Sequence, residues 1–409
     1  MYNIIMTLSE ELTWRGFVGQ TTFDDPAEID AGDKTFYLGV DPSADSMTIG
    51  NLAALILAQH FAKAGHKMIL LVGGGTGQIG DPKMDAARPV KPAAEIARNA
   101  AAIAAQFRQI MGRDVQIVNN NDWLGNLGFY QFMNEVGQYF SMTQLMDREF
   151  VRARTKNGAA GVNLAEFSYS LLQGYDFLHL FREFGVTLQL CGVDQFGNCA
   201  TGLTLIRKRE NQRADIFAMP LVINKSTGKK FGKSEGGAVW LSAAKTSPYQ
   251  FYQFWLNVDD AGVVDYLKIY TFLSREEINA LAENHFANPS ARAAQKTLAH
   301  EVTKLVHGEK VAQNVEHVSR ILFGENDFRE ISDDELEILS HEIPTVNLRE
   351  NLGAIDALTE ANIAASRGAA RKLIEQNAVA LNGAKIREDE ILTEKTLIKK
   401  GKNQFVLVK

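Results

Sequence analysis

The stretch from residue 35 to residue 72 constrains this chain more than any other. Thr35-Phe36-Tyr37-Leu38-Gly39-Val40 has the composition of a strand, Asp41-Pro42-Ser43 turns the chain, and Leu52, Leu55, Ile56 and Phe61 recur at helical spacing. Lys67-Met68-Ile69-Leu70-Leu71-Val72 then supplies a second strand. Strand, helix and strand in that order make a βαβ unit, whose crossover requires parallel strands with helices on the sheet faces.

The alternation continues downstream. An Ala-rich helix is expected over residues 92–112, strands over 115–118 and 187–191, and a helix near 196–209. The body therefore reads as α/β, a Rossmann-like doubly wound parallel sheet with ligands expected where its strands end. After Pro248 the strand signals fade, and 249–255, 275–283, 291–307 and 310–322 read as helices. An acidic mixed stretch follows. Ser366-Arg367-Gly368-Ala369-Ala370-Arg371-Lys372-Leu373-Ile374 is then a Ser-capped basic helix, and Asn382-Gly383 between short β-prone runs marks a hairpin. The expected division is an α/β domain with a nucleotide-binding loop over 1–246, an all-helical domain over 247–325, a linker over 326–348 and a small α+β module over 349–409.

Composition narrows the class. The 409 residues suggest two or three compact units. With 45% hydrophobic and 22% charged residues, disordered, collagenous and coiled-coil classes drop out. Cys191 and Cys199 are the two cysteines, too few for a disulfide framework or a metal cluster, which fits a reducing, cytoplasmic setting. Neither a signal peptide nor a stretch long and apolar enough to span a membrane is read. The net charge of -6 hides an asymmetry, because residues 349–409 carry 11 Lys and Arg against 8 Asp and Glu. A basic tail unit follows an acidic body.

Two segments carry phosphate chemistry. The run from Asp41 to Asn51 ends the first strand and enters the first helix, where backbone N–H groups and a positive helix end face any bound anion. Lys229-Lys230-Phe231-Gly232-Lys233-Ser234-Glu235-Gly236-Gly237 clusters ammonium groups on a Gly-rich loop, which suits a polyphosphate, although a solvated turn has the same composition.

Together with these, five segments in order resemble the bacterial tyrosyl-tRNA synthetases over essentially the whole chain. They are Tyr37-Leu38-Gly39-Val40-Asp41-Pro42-Ser43-Ala44-Asp45-Ser46, Gly80-Asp81-Pro82, Tyr169-Ser170-Leu171-Leu172-Gln173-Gly174-Tyr175-Asp176-Phe177, Gln189-Leu190-Cys191-Gly192-Val193-Asp194-Gln195-Phe196-Gly197-Asn198, and Lys230-Phe231-Gly232-Lys233-Ser234. The resemblance implies a class I aminoacyl-tRNA synthetase fold and a homodimer. It also implies ATP as substrate, with Mg2+ arriving on the ATP and no protein metal site. The implied reaction joins L-tyrosine to ATP as tyrosyl-adenylate, releases pyrophosphate, and passes tyrosyl to the 3′ end of tRNA(Tyr). The terminal module resembles a small RNA-binding module whose Arg and Lys residues contact phosphates. The helical domain would then meet the anticodon region.

The same resemblance places the substrate phenol between Tyr37 and Asp176, since a buried hydroxyl needs both a donor and an acceptor. It assigns Asp81, Tyr169 and Gln173 to the substrate ammonium, Asp194 to the ribose, Gly192 to close approach of the nucleoside, and Gln195 to the reacting carboxylate. Gly39, Asp41 and Gly50 would lie along the adenylate, and Lys230, Lys233, Ser234 and Ser43 would stabilise the departing pyrophosphate. Taken singly, Tyr37 could be a packed strand tyrosine, Asp176 a helix cap, and Asp41 and Asp81 turn residues before proline.

The chain departs from the family at the first helix, where Thr48-Ile49-Gly50-Asn51 replaces a motif with two histidines. Thr48 and Asn51 can still hydrogen-bond to nucleotide, but neither can carry imidazolium charge. A slower activation step, or compensation by Lys83 or Arg88, is expected. Leu38 also stands where relatives have a small polar residue near the ribose. Two rival readings are a tryptophanyl-tRNA synthetase and a catalytically weakened paralogue that binds RNA; the Tyr37 and Asp176 pair argues against the first, and retention of Lys230, Lys233, Asp81 and Asp194 against the second.

Overall fold

Six strands order the first part of the computed structural model, which describes residues 6–82, 89, 91–148, 151–152, 154, 161–234 and 237–409; the side chains of 144, 233 and 234 are not among the described ones. They are β1 (Gln20–Thr21), β2 (Thr35–Val40), β3 (Lys67–Val72), β4 (Gln116–Asn119), β5 (Leu188–Gly192) and β6 (Asp215–Met219), lying in the order β1-β6-β5-β2-β3-β4. From β6 to β4 every neighbour is parallel, and β1 pairs antiparallel at the edge. The doubly wound sheet is as expected, with an edge strand the sequence reading lacked. The chain runs from β2 outward to β3 and β4, then returns to the other side of β2 for β5 and β6. Strand order therefore reverses between β2 and β5, the crevice where such sheets hold ligands.

Side chains alternate across β2 and both faces are covered, which is why its sequence is apolar almost throughout. Phe36 meets Phe61 of the helix Ile49–Lys63, with ring centroids 5.5 Å apart. Tyr37 points the other way, edge-on to Phe177 of the helix Leu164–Phe184 at 5.3 Å. Lys233–Ser234 and Gly237–Ala238 form a short antiparallel pair, β7 and β8.

The chain divides into two compact units, Met1–Thr246 with Val258–Leu298, and Ser247–Asn257 with Ala299–Lys409. The helical stretch expected over 247–325 is thus shared between them. Arg15 gives one physical reason. Only 3% exposed, it donates to the carbonyls of Lys268, Thr271 and Leu273 at 2.8, 2.9 and 2.6 Å, satisfying the orphan end of the helix Val263–Tyr270. The Phe231 ring stacks on Tyr266 of the same helix at 4.2 Å.

In the second unit β9 (Thr345–Val346), β10 (Val379–Leu381), β11 (Ala384–Lys385), β12 (Thr396–Lys400) and β13 (Gln404–Val408) form a sheet ordered β11-β10-β12-β13-β9. Ile398, Val406 and Val408 pack with Ile355, Leu358, Ala370 and Ile374 of two helices. On the alternate positions Leu397, Phe405 and Leu407 pack with Val318, Leu322, Leu336 and Leu339. The expected hairpin turn is present, with Asn382 and Gly383 at φ 46 and 89. Ser366 caps the helix Arg367–Glu375 by accepting from the Ala369 N–H at 3.2 Å. The stretch 326–348, expected as a linker, is instead structured. Ser332 accepts from the Glu335 N–H at 3.4 Å and donates its own N–H back at 2.8 Å, a reciprocal cap that starts the helix Asp333–Glu342. β9 then adds in parallel to β13.

Candidate active site

The carboxyl ends of β2 and β5 open into a cavity of about 520 Å3. Tyr37, Asp81, Tyr169, Gln173, Asp176 and Gln195 all line it. So do Gly39, Asp41, Ser43, Thr48, Gly50 and Asn51, and on the facing side Gly192, Asp194 and Lys230. Lys233 lies in β7 and Ser234 beside it, with neither side chain among those described. Lys83 and Arg88 lie outside the described residues.

Two buried polar side chains, Tyr37 and Asp176, line the cavity. Tyr37 is 1% exposed and its own hydroxyl has no hydrogen-bond partner. Burial, with Cys199 and Asp176 adding to it, holds this phenol well above its usual range, so it stays protonated and can donate. Asp176 is equally buried. Its Oδ2 accepts from Asn120 Nδ2 at 2.9 Å and its Oδ1 from Trp123 Nε1 at 2.8 Å. Burial raises this carboxyl to about 7, against the pull of those two donors. A carboxylate has about four lone-pair sites, so acceptor capacity is left over.

The next segment gathers acceptors. Tyr169 donates its hydroxyl to Asp41 Oδ2 at 2.8 Å, leaving its oxygen lone pairs. Gln173 donates to Cys199 Sγ at 3.6 Å, while its Oε1 is buried without a partner, as is Gln189 Oε1. Asp81 accepts from Gln195 Nε2 at 2.8 Å and Asn198 Nδ2 at 3.0 Å. Gln195, expected to orient a substrate carboxylate, donates here to Asp81.

The first helix starts on a contact between Thr48 and Asn51. Asn51 Oδ1 accepts both the Thr48 backbone N–H at 3.0 Å and the Thr48 hydroxyl at 3.1 Å. Thr48 and Asn51 are therefore turned on each other. The reason is local: the chain entering the helix has an unpaired N–H, and a side chain three residues on is within reach. Leu38 is buried at 4% exposure and offers the cavity an apolar wall. Asp194 and Lys230, expected to serve ribose and pyrophosphate separately, form an ion pair at 3.5 Å. Their side chains are 44% and 57% exposed, so the pair is solvent-screened and opens at little cost. The lysine strand reaches the helix start because Gly232, at φ +97, lies against Ile49, whose Cγ1 a β-carbon would approach to 2.8 Å.

The chain as a whole matches known proteins. The family described as tRNA synthetases class I (W and Y) matches residues 30–324, and the tyrosine–tRNA ligase SYY-like C-terminal domain matches 335–409. A tyrosine–tRNA ligase of Bacillus caldotenax is 41% identical over 99% of this chain and 100% of its own length, and one of Streptococcus thermophilus is 39% identical over 98% and 100%. The chain belongs to the tyrosine–tRNA ligases. A solved structure, a C-terminally truncated mitochondrial tyrosyl-tRNA synthetase of Aspergillus nidulans, superposes with a TM-score of 0.68 at 26% identity, covering 78% of this chain and 94% of that one. The tryptophan-specific rival gives way to these full-length relatives.

This ligase also holds its site with residues that the sequence reading did not single out. Asn120 and Trp123 position Asp176, Thr76 donates to Asp41 Oδ1 at 2.7 Å, and Asn198 braces Asp81. The run Gly73-Gly74-Gly75 after β3 lets Asp41 and Asn119 press against the backbone. A β-carbon at Gly73 would come within 2.0 Å of Asp41 Oδ1, and one at Gly74 within 2.3 Å of Asn119 Oδ1. Both signals were in the sequence, as a glycine run and an Asn-Asn-Asn run at two strand ends beside the reversal point.

Proposed function

We propose that the cavity binds L-tyrosine and ATP and performs the activation step, with the residue roles as follows. The observation that carries the reading is the unpartnered, buried Tyr37 hydroxyl in the same cavity as the Asp176 carboxylate. Tyr37 donates to the substrate phenol and the phenol donates to Asp176. Phenylalanine would leave both groups without their partner in a dry pocket, a discrimination of which tyrosine-specific synthetases are the standard instance. Gln173 Oε1, Tyr169 Oη and Asp81 supply three acceptors for the three N–H bonds of the ammonium.

So held, the substrate carboxylate attacks the α-phosphate of ATP, forming the acyl–phosphate bond as the bond to pyrophosphate breaks. Magnesium belongs to the ATP substrate here. Lys230 and Lys233 neutralise the leaving pyrophosphate, Ser43 and Ser234 donate to it, and Lys230 exchanges Asp194 for phosphate while Asp194 takes the ribose hydroxyls. Gly39, Asp41, Gly50 and Gly192 line the adenylate, and Gln195 turns from Asp81 to the reacting carboxylate. Thr48 and Asn51 hold the helix start in shape, so that phosphate meets backbone N–H groups. Residues 349–409 contact RNA phosphates through exposed residues such as Arg371 and Lys372, and the helices between 247 and 325 meet the anticodon region of tRNA(Tyr). Aminoacylation of total tRNA with competing tyrosine, tryptophan and phenylalanine tests this reading. Charging with tyrosine is expected; preferential charging with either rival, or no tyrosyl-adenylate in a burst assay, defeats it.

The chain is further proposed to act as a homodimer in the cytoplasm. What supports the dimer is a set of large apolar side chains left exposed, Phe129 at 70%, Tyr130 at 84%, Met142 at 63% and Leu164 at 76%. A second copy would cover them. Sedimentation equilibrium of the double variant Phe129→Asp, Leu164→Asp is expected to show monomer at concentrations where the parent is dimeric; identical masses would remove these residues from any interface. The two unpaired thiols suit a reducing compartment, and no helix among the described residues is long and apolar enough to cross a membrane.

A further inference from the structure

The helix Leu164–Phe184 presents Asp176 and His179 three residues apart, hence on one face. Trp123, on the short helix Asn121–Leu124 that follows β4, meets both. Its Nε1–H donates to Asp176 Oδ1 at 2.8 Å, and its ring lies flat on the His179 imidazole, with centroids 4.3 Å apart and planes 21° apart. The His179 ring nitrogens make no hydrogen bond among the described residues, so the imidazole offers the indole a face and little else. The two oxygens of Asp176 are thus anchored differently. Asn120, which holds Oδ2, is fixed by its bonds to Thr76 Oγ1 at 2.9 Å and the Gly75 N–H at 2.7 Å. The Trp123 donor has its direction set by the plane of its ring, and that plane is set by the stack on a half-buried histidine.

We infer that His179 is a positioning residue for tyrosine recognition, acting through the Trp123 ring on the Asp176 carboxylate. This rests on the reading of Tyr37 and Asp176 as the phenol clamp. Without the imidazole the indole has room to tilt toward solvent, and Oδ1 turns with its donor.

The test compares His179→Ala, His179→Phe, Trp123→Phe and Asp176→Asn in tyrosine-dependent pyrophosphate exchange, with phenylalanine as the competing amino acid. His179→Ala is expected to raise KM for tyrosine roughly three- to tenfold, the range for an aromatic pair, and to lower the tyrosine-to-phenylalanine preference by a like factor. Its kcat and its KM for ATP should stay as in the parent. His179→Phe should restore KM and preference, since a flat ring suffices. In a Trp123→Phe background, which keeps the stack and lacks the donor, His179→Ala should add no further loss. An unchanged KM in His179→Ala, a defect that His179→Phe leaves in place, or a full additional loss in the double variant would each overturn the inference. If Asp176→Asn itself leaves the preference intact, the clamp reading fails instead, and the two failures are told apart.

Discussion

Asparagine in place of Asp176 is expected to lower kcat/KM for tyrosine tenfold to a hundredfold or more while changing that for phenylalanine little. The Asn120 amide and the Trp123 indole already donate to this side chain, and in the proposed complex the substrate phenol is a third donor. A carboxylate has two oxygens for them, whereas an amide has one and adds two donors of its own. One donor is then left buried and unpaired, which costs about 1–3 kcal/mol. The same variant exposes the titration. Burial sets the Asp176 carboxyl at about 7 in the folded, unliganded chain, against an ordinary 3.8. The folded chain therefore holds this proton more tightly than the unfolded chain, and the associated stability is full below the unfolded value and lost as pH rises to about 7. Relative to Asp176→Asn, the parent should lose on the order of 2–3 kcal/mol between pH 5 and 8, measured by urea unfolding of both without tyrosine. A gap between them that does not move with pH would mean that this carboxyl titrates as an exposed one.

Arg154→Met should be the most destabilising single change outside the cavity, by about 3–5 kcal/mol. Arg154 and Glu166 have side chains 1% and 3% exposed and pair at 2.9 Å. Arg154 also donates to the Gly161 carbonyl at 2.5 Å. Glu166 sits in the first turn of the helix Leu164–Phe184, where Asn163 Oδ1 accepts its N–H at 2.9 Å and its Oε2 accepts the Asn163 N–H at 3.4 Å. Methionine would take the Arg154 guanidinium away from a carboxylate buried at the helix start. That helix carries Tyr169, Gln173 and Asp176, so stability and tyrosine affinity should fall together. Adding Glu166→Leu to Arg154→Met removes the buried carboxylate that has lost this arginine and should recover more than half of the loss in urea unfolding. A double variant no more stable than the single one would show that the cost lies elsewhere than in the broken ion pair.

The sheet was legible where strands are buried on both faces. The Thr35–Val40 and Lys67–Val72 runs are apolar almost throughout, and the helix between them repeats at its own period. β1 spans only Gln20–Thr21, too short and too polar to leave a pattern, and it forms because β6 offers an open edge. β6 itself, Asp215-Ile216-Phe217-Ala218-Met219, is a short apolar run of the same kind as those of β2 and β3, with the charged Asp215 blurring its start. In the site, strand-end position and motif resemblance picked out residues facing the cavity. They could not show how those residues bond to one another before any ligand arrives. Asn120 and Trp123 reach Asp176 across more than fifty residues of chain, and that meeting depends on strand order. The Thr48 and Asn51 pairing went unread because an Asn three residues after the cap is not the usual Glu or Gln. Ser332 and Glu335 did carry that usual signature, inside a stretch whose acidic composition suggested a linker.

The parallel pairing of β9 with β13 bears on where the terminal piece can be severed. A fragment starting at residue 349 would begin with the β13 edge bare and with Leu397, Phe405 and Leu407 stripped of the helical cover that residues 318–339 provide. Open edges and uncovered apolar rows invite self-association. Protease cleavage between Val346 and Arg349 would therefore yield a sticky remnant rather than a well-behaved domain.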